Sequence, residues 1–375
     1  MSRKLPTLAC LAAATATTAA ADVPNVAADI APVHALVARV MDGVGTPDLV
    51  IAPGASPHEY SLRPSEAAAL QDADLVFWVG EGLTPWLEGA IDNLATSASV
   101  TALLEADGIT TLPFRESALF EAHDHDHGEH DHGDHDDHDD HDHAEEAAAE
   151  DHDHDHAEEA AAKEEDHDHD HDHSEDAAMK EDDHDHDHDD HADADGHEGH
   201  AHGDEDPHAW LSPDNASVWL TVIAEELAAA DPENAATYRA NAAAGQEEII
   251  ALKAEIDGIL APARGHAFVV FHDAYQYFET AFDLPAAGAI SLSDASDPSP
   301  ARITEVQGRI ADEGIDCVLA EPQFSPGLVA TVLDGADAKS GIADPLGAAF
   351  APGMDHYANT LRSMAESLAE CLAHD

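Results

Sequence analysis

Residues 121–206 cannot form a hydrophobic core, and this limits what the whole chain can fold into. The segment holds 40 of the 80 acidic residues and 23 of the 30 histidines, with almost no aromatic or branched aliphatic side chains. Because it buries too little apolar surface to offset the conformational entropy lost on folding, we expect it to be disordered. The folded structure therefore has to come from the residues on either side of this insertion.

The net charge excludes two classes of partner. The 80 acidic residues against 14 basic ones give a formal net charge of -66. Nucleic acids and anionic lipid surfaces both attract a cationic protein face, so we expect neither as a partner. Beyond the first residues, no apolar run reaches the roughly 18 residues of a membrane-spanning helix, so we expect no direct membrane insertion. We expect the chain to be a monomer.

The beginning of the chain is typical of a cleavable export signal. Arg3 and Lys4 precede a short apolar run, which small residues follow as far as Ala21. This pattern predicts a signal peptide at residues 1–21. Cys10 offers a lipoprotein anchor as the alternative, which the shortness of the apolar run before it disfavours.

Two cysteines remain once the signal is removed, Cys317 and Cys371. A single pair in an exported chain suggests a disulfide bond. Two buried free thiols are the alternative.

Outside the insertion, segments typical of strands alternate with segments typical of helices. Before the insertion, apolar runs such as "DLVFWVG" alternate with amphipathic stretches such as "APVHALVARVMDGV". After it, "HAFVVFH" and "IDCVLAEPQ" are predicted strands with predicted helices between them. The alternation predicts an α/β fold with two lobes, each a mostly parallel sheet covered by helices on both faces.

A long helix is predicted between the lobes, from about Pro232 to Leu260, with Asp231 as its N-cap. At 1.5 Å per residue it would run roughly 40 Å, and we interpret it as a rigid linker. The predicted domain boundaries are a first lobe at 22–230 that contains the insertion, a linker helix at 231–262 and a second lobe at 263–375.

Three of the seven histidines outside the insertion occur beyond predicted strand ends, where the ligands of an open α/β sheet lie. His58 is in the loop after "DLVIA", His208 is in "DPHAW" just after the insertion, and His272 ends "FVVFH". We expect these three to bind a metal ion. We expect the other four not to be ligands: His34, His266, His356 and His374.

Three imidazoles favour zinc as the metal. Neutral imidazole is a good donor to Zn²⁺ at neutral pH, and three nitrogens with one oxygen complete a tetrahedron. Magnesium and calcium prefer more oxygen ligands, and copper(I) prefers thioethers. Glu59 is a candidate for the oxygen ligand, Asp344 is a weaker one that is more typical of a turn, and water is another alternative. Glu321 we interpret as a partner of a ligand or as a structural acid.

Four motifs carry a resemblance to a known family: "PGASPHEYSLRPS", "DPHAWLSPDNA", "VVFHDAYQYFE" and "CVLAEPQF". They resemble the periplasmic zinc-binding component of bacterial zinc ABC transporters, and the match covers nearly all of the mature chain except the insertion. The resemblance implies two α/β lobes joined by a long helix, with zinc held in the cleft between them. It also implies a periplasmic location and a membrane permease as partner.

The same resemblance assigns individual residues. It implies His58, His208 and His272 as the zinc ligands, with Glu59 as a possible fourth. Relatives that carry manganese or iron typically have a carboxylate in place of His272, so this residue favours zinc. The pair Cys317–Cys371 resembles a disulfide of the zinc-specific branch.

The insertion is predicted to be an accessory and not the primary site. Alternating Asp and His give many equivalent weak chelates, whereas a fixed coordination geometry needs a folded shell. We expect the insertion to bind several zinc ions loosely and to raise their concentration near the cleft, with a solvated acidic spacer as the alternative. The histidines predicted to take part are His123, His125, His127, His152, His154, His156, His167, His169, His171, His173, His184, His186 and His188.

The leading hypothesis is therefore a receptor that performs no catalysis and delivers Zn²⁺ to a permease. The alternative is a zinc buffer or storage protein that acts through the insertion. A zinc hydrolase is a third class, because three nitrogens and a water also describe a catalytic site. Such an enzyme needs a general base and a substrate pocket, and we find no sequence motif for either.

Overall fold

The computed structural model describes residues 23–115, 205–291 and 298–373. The predicted signal peptide with Cys10, the histidines of the insertion and His374 lie outside the described residues. Within these three ranges, no helix is both long enough and apolar enough to cross a membrane.

The described part of the first lobe contains four strands and four α-helices. The strands are β1 (Val26–Ala28), β2 (Asp48–Leu49), β3 (Leu75–Trp78) and β4 (Ser99–Ala102), and the helices are α1 (Ala31–Val40), α2 (Pro64–Asp72), α3 (Pro85–Leu94) and α4 (Pro213–Ala230). All strand pairs are parallel, in the order β2-β1-β3-β4. β1 and β3 are buried along their whole length, as expected for inner strands of a parallel sheet.

The second lobe repeats this arrangement. Its strands are β5 (Phe268–His272), β6 (Gly288–Ser291), β7 (Cys317–Ala320) and β8 (Lys339–Ile342), and its helices are α6 (Gln276–Phe282), α7 (Pro300–Glu313), α8 (Pro326–Val332) and α9 (His356–Leu372). The strands are again parallel, in the order β6-β5-β7-β8. The prediction of two α/β lobes with parallel sheets is confirmed.

β5, an inner strand of the second sheet, is buried on both faces. Phe268 and Val270 belong to a hydrophobic core that continues into the first lobe. Val269 and Phe271, which alternate with them along β5, belong to a separate cluster on the opposite face. Because successive side chains of a strand point to opposite faces, β5 needs an unbroken apolar sequence, and this is why it is easily recognised.

The sequence pattern does not predict β4, β6 or β8. Each is four residues long and lies at an edge of its sheet. β4 and β8 are largely exposed, and β6 has a single large apolar residue, Ile290, so none of them has the apolar run of an inner strand.

The linker helix is α5 (Ala235–Leu260), and its predicted start is wrong by three residues. Asp231 ends α4 and is not the N-cap of α5. Its Oδ2 accepts hydrogen bonds from Asn234 Nδ2 at 2.7 Å and from the Tyr238 hydroxyl at 2.9 Å. These bonds stabilise a turn between α4 and α5, so that α5 begins three residues later than predicted. α5 packs against α1, α4 and α9, so it contacts helices of both lobes.

A disulfide bond joins Cys317 at the start of β7 to Cys371 in the last turn of α9, with 5.8 Å between the Cα atoms. Both cysteines are buried. The bond therefore fixes the C-terminal helix to an inner strand of the second sheet.

We expect the double substitution Cys317→Ser/Cys371→Ser to lower the free energy of unfolding by about 4 kcal/mol. The bridge spans 54 residues and so restricts the unfolded chain strongly. Urea unfolding of the metal-free protein, compared with the oxidised wild type in the same buffer, measures the difference. A loss below about 1 kcal/mol would show that the bridge contributes little to this fold.

Candidate metal centre

Three histidines from separate parts of the chain meet in one cluster. His272 is the last residue of β5, His208 immediately precedes the short 3-10 helix Ala209–Leu211, and His58 lies in the loop between β2 and α2. Each offers a ring nitrogen, and these nitrogens lie within 4.8 Å of one another. Among the described residues, this is the one group of three or more histidine, cysteine or acidic side chains that could hold a metal ion.

The cluster surrounds a very small cavity. His208 and His272 are buried and His58 is half-buried. The cavity measures about 10 Å³, which is room for about one water molecule or ion. Its other walls are Pro57, Trp210, Gln323, Pro345 and Leu346. The site is therefore a recess with largely apolar walls, in which three nitrogen donors face a space the size of one small ion.

His208 is oriented by a buried carboxylate. Its Nδ1 lies 2.7 Å from Asp206 Oδ1, and its backbone N–H donates to the same oxygen at 2.9 Å. Asp206 is itself only 1% exposed. This contact fixes the ring rotation and presents the opposite nitrogen, Nε2, as the metal donor.

His272 has a matching partner. Its Nδ1 lies 2.6 Å from Glu321 Oε1, and Gln323 Nε2 donates to the other carboxylate oxygen at 3.0 Å. The ring of Phe324 packs edge-on against the His272 ring, with the centroids 5.7 Å apart. Glu321 thus takes the role of an acid that orients a candidate ligand.

The loop that carries His58 is held from the first lobe. Trp86 Nε1 donates to the backbone carbonyl of Pro57 at 2.8 Å, and the backbone N–H of His58 donates to Ser56 Oγ at 3.3 Å. These bonds place the imidazole opposite the second lobe. The three candidate ligands therefore need both lobes in place.

The far wall of the cavity is a tight loop from Ala343 to Gly347. Trp210 Nε1 donates to the Pro345 carbonyl at 2.9 Å, and the Tyr275 hydroxyl donates to the Ala343 carbonyl at 3.1 Å. Gly347 has φ +67°, and a Cβ there would collide with Thr360 on α9. The glycine therefore permits the close approach that places Pro345 and Leu346 against the site.

The structure does not bring Glu59 or Asp344 into the histidine cluster. The Glu59 side chain is exposed. The Asp344 carboxylate accepts hydrogen bonds from the backbone N–H groups of Leu346 at 3.0 Å and Ala348 at 2.6 Å. Asp344 thus stabilises the turn around Pro345, the role that its sequence context suggested.

The other described histidines lie apart from the cluster and have local partners. His34 Nε2 lies 3.1 Å from the Pro47 carbonyl, and burial lowers the pKa of His34. His266 pairs with Asp316 at 3.1 Å. His356 Nε2 lies 2.8 Å from the Leu346 carbonyl and so supports the loop next to the cavity.

Asp206 is the functional residue that the sequence interpretation missed, because it was assigned to a disordered insertion that ended at residue 206. Glu205 and Asp206 are part of the folded structure. Glu205 forms an antiparallel bridge with Pro113, and the Asp206 N–H donates to the Leu112 carbonyl at 2.8 Å. The available signal was the spacing of an aspartate two residues before a candidate ligand, which is hard to see beside so many acidic residues.

Buried carboxylates also govern the electrostatics around the histidines. Burial raises the pKa of Asp206 to about 7, while the His208 N–H and the charge of Arg115 act in the opposite direction. Burial likewise raises the pKa of Asp273, the neighbour of His272, to about 7, against the influence of Arg115. A nearby divalent cation favours the ionised carboxylates, so cation binding and ionisation support each other.

The family model described as "zinc-uptake complex component A, periplasmic" matches residues 26–371. The chain belongs to this family. It is 43% identical over 374 residues to the high-affinity zinc uptake system protein ZnuA of Paracoccus denitrificans, which covers 99% of both chains. It is 42% identical over 344 residues to the protein of the same name from Brucella suis, which covers 92% of this chain and 90% of the relative.

Solved structures show the same fold as this member of the zinc-uptake component A family. A crystal structure of ZnuA matches with a TM-score of 0.62 and 21% identity over 94% of this chain and 100% of that one. The FpvC protein of Pseudomonas aeruginosa in complex with Mn²⁺ matches with a TM-score of 0.64 and 15% identity over 93% and 98%. Members of the zinc-uptake family are transport receptors and not enzymes.

We expect Glu321→Ala and Asp206→Ala each to weaken Zn²⁺ binding by about 10- to 100-fold, because each removes the acid that orients one histidine. Competition titration with a zinc chelator measures the change. Asp316→Ala is the matched control, since it removes the acid partner of His266, which lies outside the cluster. Equal affinities for all three variants would contradict the orienting role.

Proposed function

We propose that this protein is a periplasmic receptor that binds one Zn²⁺ ion through His58, His208 and His272 and delivers it to an ABC permease. The observation that carries the proposal is the meeting of these three rings within 4.8 Å, in a cavity with room for a single ion. Membership of the zinc-uptake family and the role of the ZnuA relatives in high-affinity zinc uptake support it. The receptor acts as a monomer after removal of residues 1–21.

The ligand chemistry supports zinc as the cargo. Three imidazoles with apolar walls give a small, nitrogen-rich site, which fits Zn²⁺. Magnesium and calcium require more oxygen atoms than the cluster offers. The two carboxylates nearest the rings, Asp206 and Glu321, are hydrogen-bonded to Nδ1 atoms and so support the ligands.

We propose water as the fourth ligand. Asp344 already accepts two backbone N–H groups, and Glu59 is exposed to solvent. With neither carboxylate in the histidine cluster, water takes the remaining position of the tetrahedron. On this proposal Glu59→Gln retains wild-type zinc affinity.

The histidine-rich insertion is, on this proposal, an accessory that collects zinc at low affinity. Its alternating Asp and His residues supply many similar weak sites. The competing function is a zinc buffer in which the insertion is the main site. The two functions differ in where the tightest zinc ion binds.

Competition titration of two proteins separates these functions: the mature chain and a variant that lacks residues 123–202. The deletion keeps Arg115 and Asp206, which belong to the folded part. We expect the shortened protein to retain one tight site and His272→Ala within it to lose roughly 100-fold or more in affinity.

The matched control is His266→Ala in the same shortened protein, which should bind zinc as tightly as its parent. Loss of all tight binding on deletion of residues 123–202, with the lobes still folded, would support the buffer function instead. Tight binding that survives His272→Ala would place the ion outside the proposed cluster.

A further inference from the structure

Arg115 connects the two lobes beside the metal site. It is the last described residue before the insertion, and its side chain is 19% exposed. Its Nη1 lies 3.0 Å from Asp273 Oδ1, and its Nη1 and Nη2 lie 3.2 Å and 2.7 Å from the two oxygens of Glu279. Both acids belong to the second lobe and are almost completely buried.

The partners of Arg115 are next to the candidate ligands in the chain. Asp273 directly follows His272 at the end of β5. Asp206, whose charge also interacts with Arg115, precedes His208 by two residues and contacts its ring. The guanidinium therefore lies close to two acids that neighbour candidate ligands in the chain, Asp206 and Asp273.

Neutral hydrogen bonds reinforce this junction. The Tyr277 hydroxyl on α6 donates to the Asp206 carbonyl at 2.8 Å and accepts from the Leu112 N–H at 3.0 Å. Glu279 also accepts a hydrogen bond from the backbone N–H of Ala286 at 3.0 Å. The segments around Leu112 and Asp206 are thus already close to α6, and the ion pairs add the electrostatic part of the contact.

Removal of the Arg115 guanidinium would leave Asp273 and Glu279 without their cationic partner. Asp206, Asp273 and Glu279 are all at most 5% exposed, and Arg115 is the cation that contacts the latter two. Buried carboxylates that lose this partner are destabilised whether they stay ionised or take up a proton, because their hydrogen bonds to the guanidinium are gone. The expected response is a separation of the segment that carries His208 from the strand that carries His272.

We propose that Arg115 is a positioning residue that holds His208 and His272 at metal-binding distance before the ion arrives. The proposal rests on the zinc-receptor function proposed above. Because the rings are held in place in advance, less binding energy is used to order them, and the bound ion leaves more slowly.

The test uses the mature chain with Arg115→Met, which keeps an unbranched apolar stem and removes the charge and hydrogen bonds of the side chain. We expect the dissociation constant for Zn²⁺ to rise roughly tenfold, mostly through faster release, in a protein that is still folded. Arg239→Met is the matched control, because Arg239 pairs with Glu225 at an exposed site between α4 and α5. It should change neither the affinity nor the release rate.

Two further variants separate positioning from a general loss of stability. Arg115→Lys keeps the charge but cannot form the bidentate contact. We expect its zinc affinity to lie between those of the wild type and Arg115→Met. Glu279→Gln removes one partner charge with little change in shape. If Arg115 acts by positioning, the loss of binding free energy in the double variant Arg115→Met/Glu279→Gln is smaller than the sum of the losses in the two single variants. If Arg115→Met does not fold, Arg115→Lys and Glu279→Gln decide the question.

Each outcome identifies which claim fails. A zinc affinity within twofold of wild type for Arg115→Met, with a tight site in the wild type, would overturn the role of Arg115 and leave the receptor function intact. Absence of a tight site in the wild type would overturn both. Weaker binding in Arg115→Met and Arg239→Met alike would point to a non-specific charge effect and also overturn the proposal.

Discussion

The contact between a buried imidazole and a buried carboxylate is the interaction on which the candidate metal centre depends. It occurs twice, between His208 and Asp206 and between His272 and Glu321. In each case the acid fixes one ring nitrogen and directs the other towards the cavity. When ionised, the acids also place negative charge beside the three imidazoles, which attracts a cation to a recess with apolar walls.

Parallel topology brings these groups to one place. The carboxyl ends of parallel strands lie at the same edge of a sheet, and His272 and Glu321 follow neighbouring strands of the second sheet. His58 approaches from the first lobe, and Asp206 and His208 come from the chain segment that follows the insertion. Helices α5 and α9 contact elements of both lobes, and Arg115 adds an ion-pair contact next to the site.

Inner strands and candidate ligands could be predicted from sequence because both have strong local signals. Unbroken apolar runs marked β3 and β5, and the histidines beyond strand ends stood out once the insertion was set aside. Edge strands such as β4 and β8 have no such signal, because solvent exposure allows polar residues there. Asp206 was missed because it lies at the end of the acidic insertion. Arg115 was missed because its partners Asp273 and Glu279 are far away in the chain.

The most direct test of the metal centre is X-ray absorption at the zinc edge, on the variant without residues 123–202 loaded with one equivalent of Zn²⁺. We expect three imidazole nitrogens and one oxygen at about 2.0–2.1 Å. Removal of the insertion ensures that the signal reports on the folded lobes. A spectrum with five or six oxygen neighbours, or with fewer than two imidazoles, would contradict the three-histidine site.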